Sequence, residues 1–255
     1  MKIKYLAAAG LLALTNALIA ETPAESGTMP GPSLAGFYVG AVAGASQNNS
    51  ALSGDTSTLG GYWAPQNAAR ATAIARGAAS SWAPHAGLDI GYNWQMGPWV
   101  LGAEADLDPT KASVERRYVG QNNSLNTADQ LIESDWLATA RMRAGTVLAQ
   151  RWLVFATGGL AVSGLQTADS FTDEYYPTTA RATGQTVALG WVAGAGAEWI
   201  LARHWGLKLE YLCLGFPNAG TTGLMKDPFG PDTSTYQFAS TLTMNVGRLG
   251  VNYFF

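Results

Sequence analysis

Of the 255 residues, 47% are hydrophobic and only 13% are charged, about half the charged share of an average soluble domain, while glycine reaches 30 and tryptophan 9. A formal charge of −3 and a pI near 5.3 leave no basic footprint for nucleic acid. The mean hydropathy of +0.04 is too low for a bundle of membrane helices, so a membrane-spanning form must hide polar groups on an inner face, as strands do.

The chain opens MKIKYLAAAGLLALTNALIAET, where Lys2 and Lys4 precede an apolar run and the small Ala20 precedes Glu21. This predicts a cleaved secretory signal over residues 1–20. Thr15 and Asn16 interrupt the run and no basic stop-transfer cluster follows, which argues against a permanent anchor. Cys213 is the one cysteine, so no intrachain disulfide is available, and it is far from the cleavage point a lipoprotein would need. Residues 21–35, with three prolines, two glycines and no periodicity, read as a flexible periplasmic lead-in.

In GFYVGAVAGA, Gly36, Gly40 and Gly44 fit one face of a helix or of a strand, but about ten apolar residues are half a helical span and suit a tilted membrane strand. In HAGLDIGYNW, Ala86, Leu88, Ile90, Tyr92 and Trp94 alternate with Gly87, Asp89, Gly91 and Asn93. After the turn QMGP, WVLGAEADL returns with Trp99, Leu101, Ala103, Ala105 and Leu107 outward against Gly102, Glu104 and Asp106. DWLATARMRAG sets Trp136, Ala138, Ala140, Met142 and Ala144 against Asp135, Thr139, Arg141, Arg143 and Gly145. WLVFATGGLAV is apolar on both faces, and the pattern over 152–162 does not set its phase. In the next hairpin, Trp191, Ala193, Ala195, Ala197 and Trp199 oppose Gly190, Gly194, Gly196 and Glu198, and Leu207, Leu209, Tyr211 and Cys213 oppose Lys208 and Glu210. The closing GRLGVNYFF places Leu249, Val251, Tyr253 and Phe255 opposite Arg248, Gly250 and Asn252.

These segments predict an all-β fold over 36–255, an eight-stranded antiparallel up-and-down transmembrane β-barrel. Long connections at 47–83, 108–134, 163–184 and 216–239 alternate with turns of a few residues, so four long extracellular loops are expected, with both termini periplasmic. An aromatic girdle should sit at strand ends. Trp94, Trp99, Trp152, Trp199 and Trp205 flank the short turns, with Phe37, Tyr253 and Phe255 at the same level, while Trp82, Trp136 and Phe216 mark the opposite ends.

Taken in order, GFYVG, GYNWQ, WVLGAEADL, DWLATARMRAG, FATGGLAV, GAGAEW, LKLEYL and GRLGVNYFF resemble the successive strands of the small outer-membrane β-barrel proteins of alphaproteobacteria, the porin-family or outer-membrane immunogenic type. The resemblance covers nearly all of 36–255. The chain departs from the family pattern in the Ala-rich QNAARATAIARGAASS and at Cys213, where an aromatic is expected. The resemblance implies a place in the cell outer membrane, a role in envelope integrity and surface antigenicity, and sometimes host or ligand contact. It also implies that the terminal Phe255 is an assembly signal read by the barrel assembly machinery.

The inward faces collect Asp89, Glu104, Asp106, Glu198 and Glu210 with Arg141, Arg143, Lys208 and Arg248. An eight-stranded barrel is barely wide enough for its own side chains, so this set should interlock as a structural ion network. A narrow small-solute channel is the alternative. Carboxylates beside so many cations lose the proton a general acid needs. A lipid-modifying enzyme would need a His, a Ser and an acid near the outer leaflet, and only His85, close to Ser80 and Ser81, is placed for one, His204 being at a periplasmic turn. Met142 and Met244 read as membrane or strand-end residues. No catalytic, cofactor or metal site is expected. The expected partners are outer-membrane lipid and the assembly machinery, with an extracellular ligand or host partner left open and no nucleic acid.

Overall fold

The computed structural model of the protein describes residues 33–56, 61–119, 126–173, 178–227 and 229–255. The signal expected at 1–20 and most of the lead-in lie outside the described residues. The elements are β1 (Gly36–Thr56), α1 (Pro65–Ala75), β2 (Gly77–Met96), β3 (Trp99–Asp108), β4 (Ala112–Val119), β5 (Asn126–Leu148), β6 (Trp152–Asp173), β7 (Thr178–Ala202), β8 (Trp205–Lys226) and β9 (Thr233–Phe254). The strands form one antiparallel sheet in the order β3-β2-β1-β9-β8-β7-β6-β5-β4, and β3 also pairs with β5, which closes the ring. β3 and β4 occupy one position in the wall, a strand interrupted at 109–111, so the barrel is eight-stranded.

Period-two alternation builds the wall. Even positions of β1, β3, β7 and β9 and odd positions of β2 and β6 face the lumen. That settles 152–162: Leu153, Phe155, Thr157 and Ala161 point inward. At the short-turn end the chain reverses within two or three residues. Gly97 (φ 62°) supplies the left-handed backbone of one turn, and Ala149 (φ 47°) and Gln150 (φ 60°) supply it in the next.

Two features differ from the sequence expectation. The seven full-length strands run 20 to 25 residues, whereas a tilted membrane strand needs about 9–11. Most of 47–83, 108–134, 163–184 and 216–239 is therefore strand, and the hairpins project well past the membrane-height segment. Segments such as SQNNSALSGDT carry polar residues on both faces, so hydrophobic alternation does not mark them. The second feature is a bulge between Ser134 and Trp136 on β5. It moves the inward phase from Gln130, Ile132 and Ser134 to Leu137, Thr139 and Arg141, and leaves Asp135 exposed rather than inward.

Along β9 the lumen reads as four layers from the short-turn end: Phe254, then Arg248, then Val246, Met244 and Leu242, then Phe238 and Tyr236. The first, third and fourth are apolar clusters, the fourth including α1. The second is ionic.

Candidate functional site

The ionic layer exists because β3, β5, β7, β8 and β9 each place long charged side chains at matching heights, with Glu104 opposite Arg141, Glu210 opposite Arg248 and Glu198 opposite Lys208 in the ladders. All nine lumen residues named from the sequence are buried and belong to one network. Arg141 bonds Glu104, reaches Asp106 Oδ2 at 2.7 Å and Glu210 Oε1 at 2.9 Å. Arg248 bridges Glu210 and Asp106, each at 2.7 Å. Lys208 bonds Asp89 and lies 3.1 Å from Glu104 Oε2. Arg143 meets Glu198 at 3.5 Å and Glu104 at 3.6 Å, donates to Asn93 Oδ1 at 2.9 Å and stacks over Tyr38, 4.4 Å from its centroid. Gly40 leaves the space that Asp89 and Asn252 fill.

Several members of this layer are absent from the sequence-derived set. Tyr38 Oη donates to Glu104 at 2.5 Å, Thr139 to Asp106 at 2.8 Å and Asn252 Nδ2 to Glu198 at 2.5 Å. Asp108 continues the parity of Glu104 and Asp106, which is the signal that finds it. His85 differs in place from the outer-leaflet strand end expected of it. It is buried in the lumen with Nε2 3.3 Å from Asp108 Oδ2, and among the described residues no hydroxyl bonds its ring. Ser80 is exposed on the other face. Among the described residues no group of three or more His, Cys, Asp or Glu is arranged to hold a metal.

Apolar layers seal the network on both sides. At the short-turn end Leu34, Val100, Leu153, Phe155, Ile200 and Phe254 pack together. Leu34 belongs to the segment read as flexible, yet its N–H donates to Gln95 Oε1 at 2.8 Å and its carbonyl accepts from Asn93 Nδ2 at 3.0 Å. On the other side Leu137, Leu165, Val192, Leu212, Leu214, Phe216, Leu242, Met244 and Val246 fill the bore. Phe216 is thus inward, not part of an outer aromatic ring; the exposed Trp191, facing Gly215 across the ladder, is outward at that level, as is Trp82.

The projecting half is stoppered by α1. Its sequence PQNAARATAIA is rich in alanine, the best helix former, and starts at proline, which suits a first turn. Small side chains at Ala68, Ala71 and Ala75 let the helix lie close against inward residues Phe171, Ala180, Ala182, Tyr236 and Phe238. Tyr236 Oη donates to Ala71 O at 2.8 Å, and Thr56 Oγ1 to Ala68 O at 3.0 Å. The Arg116 guanidinium takes the carbonyls of Ile74 (3.3 Å) and Arg76 (3.0 Å) at the helix C-terminus. In this half burial pushes the Asp169 carboxyl up to about 6, with only the Thr221 hydroxyl at 2.7 Å opposing it. Burial, reinforced by the charge of Asp55, raises the Tyr236 phenol.

Around the short-turn rim, Trp94, Trp99, Trp152, Trp199 and Trp205 are exposed on the outer face, with Tyr253 half-exposed beside them. Trp152 stacks on Trp199 (5.8 Å), and Tyr253 contacts Trp205 (5.0 Å) and Phe255 (5.2 Å) edge-on. Phe255 is exposed and its N–H donates to Phe37 O at 3.0 Å.

Comparison with known proteins agrees with this architecture. The 31 kDa outer-membrane immunogenic protein of Brucella melitensis is 30% identical over 172 residues, 66% of this chain and 65% of that protein. The match thus spans just under two thirds of that relative's length. The 22 kDa outer membrane protein of Rhizobium leguminosarum is 28% identical over 126 residues, 48% of this chain and 47% of that one. Among solved structures, the Pseudomonas aeruginosa outer membrane protein OprG overlays with a TM-score of 0.42 at 13% identity, covering 87% of this chain and 97% of that one. The Escherichia coli outer membrane protease OmpT overlays at 0.42 with 10% identity, covering 86% and 97%. The outer membrane protein beta-barrel domain family matches residues 9–248, which is nearly the whole chain. An eight-stranded wall with an apolar outside and a charged inside fits what that match requires, and the chain belongs to the outer membrane β-barrel protein family, with its place in the outer membrane.

Proposed function

We propose that this protein is a closed structural barrel that contributes to envelope integrity and presents its tall half at the cell surface. The observation that carries the reading is the filling of the lumen at four successive heights by two apolar plugs, an ion network and a helix-stoppered cluster. Ions crossing such a bore would have to shed water against apolar walls. In this reading the short turns and both termini are periplasmic and the aromatic rim is the interfacial girdle. Residues 1–20 are removed on export, and Phe255 is the assembly signal. Relatives are named immunogenic proteins, and the projecting strands and hairpin tips here are the surface available for host or ligand contact.

A small-solute pore is the second reading, favoured by the inward polar run Ser46, Asn48 and Ser50 on β1 beside the third layer. Single-channel recording on refolded protein separates the two. A closed barrel gives no steady conductance, and Lys208→Met changes stability without creating one. Steady, ion-selective steps in the wild type that change selectivity in Lys208→Met would establish the pore.

A further inference from the structure

The outer wall is uneven near the short turns. Across the ladders Leu101, Ala144, Ala156, Ala195 and Tyr211 form one row on five neighbouring strands, so three methyl side chains stand between two large ones. The result is a groove three strands wide that encloses about 420 Å³. Met142, 61% exposed, projects on its far side, and Trp99, Thr146 and Val154 form the next row on its turn side. Thr146 is the polar member of that apolar edge, and among the described residues nothing bonds its hydroxyl.

The β5–β6 turn, residues 149–151, lies just past this edge. Its Arg151 is exposed, its carbonyl is held by the Ile200 N–H at 2.8 Å, and among the described residues its guanidinium forms no ion pair. The short turns at 97–98, 149–151 and 203–204 carry two arginines and a histidine but no carboxylate side chain. The Phe255 carboxylate lies on the β9 side, three strands from β6. It is beside the other basic turn, where His204 Nδ1 is 2.8 Å from Phe254 O and the ring stacks on Tyr253. Arg151 therefore stands apart, next to the stacked Trp152 and Trp199, whose rings mark the height at which lipid heads meet their chains.

We infer that this groove and turn bind an anionic diacyl phospholipid, with one acyl chain over Ala144, Ala156 and Ala195, the glycerol ester region at Thr146 and the phosphate on Arg151. The groove continues the lipid-facing wall, so its occupant is a lipid, and the charge at its mouth selects which one. Chain contact alone does not discriminate, because lipid tails are as apolar as the wall. A guanidinium pairs a phosphate through two parallel N–H donors. A zwitterionic head would bring an ammonium to a turn with no carboxylate side chain to receive it, whereas a head whose only charge is the phosphate leaves no cation unpaired. That the leaflet is the periplasmic one rests on the orientation proposed above; the binding site does not.

The test counts the lipids that refolded mature protein retains in native mass spectrometry, from micelles titrated with phosphatidylglycerol or with phosphatidylcholine of the same acyl chains. Wild type should hold one phosphatidylglycerol at about fivefold lower concentration than phosphatidylcholine, the order expected for one arginine at a lipid surface. Arg151→Gln should remove that preference and leave phosphatidylcholine binding as it was. Ala156→Leu, which fills the groove and keeps the wall apolar, should weaken both lipids, while Ala43→Leu on the outer face of β1 should change neither. Equal retention of the two lipids by wild type, a preference that survives in Arg151→Gln, or unweakened binding in Ala156→Leu would overturn the site. A preference lost only in Arg203→Gln would overturn it as well, by moving the head to the other turn. Orientation is read separately: Gln150→Cys, made with Cys213→Ser, should react with an impermeant maleimide only after the outer membrane is permeabilised. Reaction in intact cells with the lipid preference kept would overturn the orientation and retain the site.

Discussion

Among the described residues Asp89 forms an ion pair with one cation, Lys208, whereas Glu104 is approached by Arg141, Arg143, Lys208 and Arg248. The Asp89–Lys208 pair is therefore the cleaner probe of the network. Lys208→Met strands a buried carboxylate and should cost about 3–5 kcal/mol in chemical unfolding, while adding Asp89→Asn should recover much of that loss. Equal losses in single and double variants would mean that the charges are hydrated and independent. Asp169 makes the opposite kind of prediction. Its carboxyl, raised to about 6 by burial, is favoured in the protonated form by folding. The stability it allows is fully present below about pH 4 and is lost as the pH rises through 6. Asp169→Asn should raise the unfolding midpoint at pH 7–8 and leave it unchanged near pH 4. At the terminus, removing Phe255 should sharply reduce insertion in cells, while detergent refolding and stability stay near wild type, because the ring is exposed and only its backbone N–H is bonded. Normal insertion with lowered detergent stability would make it an interfacial anchor instead.

Within each strand, the membrane-height half and the projecting half obey different rules, and a pair of substitutions separates them. Ala195, opposite Ala156 and Tyr211 on the outer face of β7, should tolerate arginine poorly, at a cost of about 2–4 kcal/mol, whereas Thr183→Arg on the same face of the projecting half should cost little. Similar small effects at both would misplace the membrane. The same division explains what the sequence reveals. Alternation such as Leu88-Asp89-Ile90 or Glu104-Ala105-Asp106 is legible because lipid outside and ion pairs inside impose opposite chemistry on neighbours. Beyond the membrane both faces accept Ser, Thr and Asn, so the extensions are silent. A bulge adds one residue without a compositional mark, which hid the phase change at Asp135 and, beyond a second irregularity between Phe216 and Ala219, the inward side of β8. α1 carried its signals, alanine and a first-turn proline, but what it packs against is set by inward residues of four distant strands.

The whole molecule should behave as one closed unit. Refolded in detergent it should give a β-type circular dichroism spectrum and migrate differently on gels before and after boiling; a helical spectrum in a folded sample would contradict the wall described here. The ladder that joins the first strand to the last pairs β1 with β9, from Tyr38 opposite Phe254 to Thr56 opposite Tyr236. Those partners lie at opposite ends of the chain, so the first strand to be made waits for the last. Local hairpins can zip within microseconds, but this contact bears the largest loop-closure entropy in the molecule and should set the slow folding phase. During export, every intermediate short of full length exposes β1 as an open edge, which invites off-pathway pairing until the final strand arrives. A chain cut within β9 should therefore be lost as a whole, whereas a nick at a short turn, with both fragments present, should still assemble.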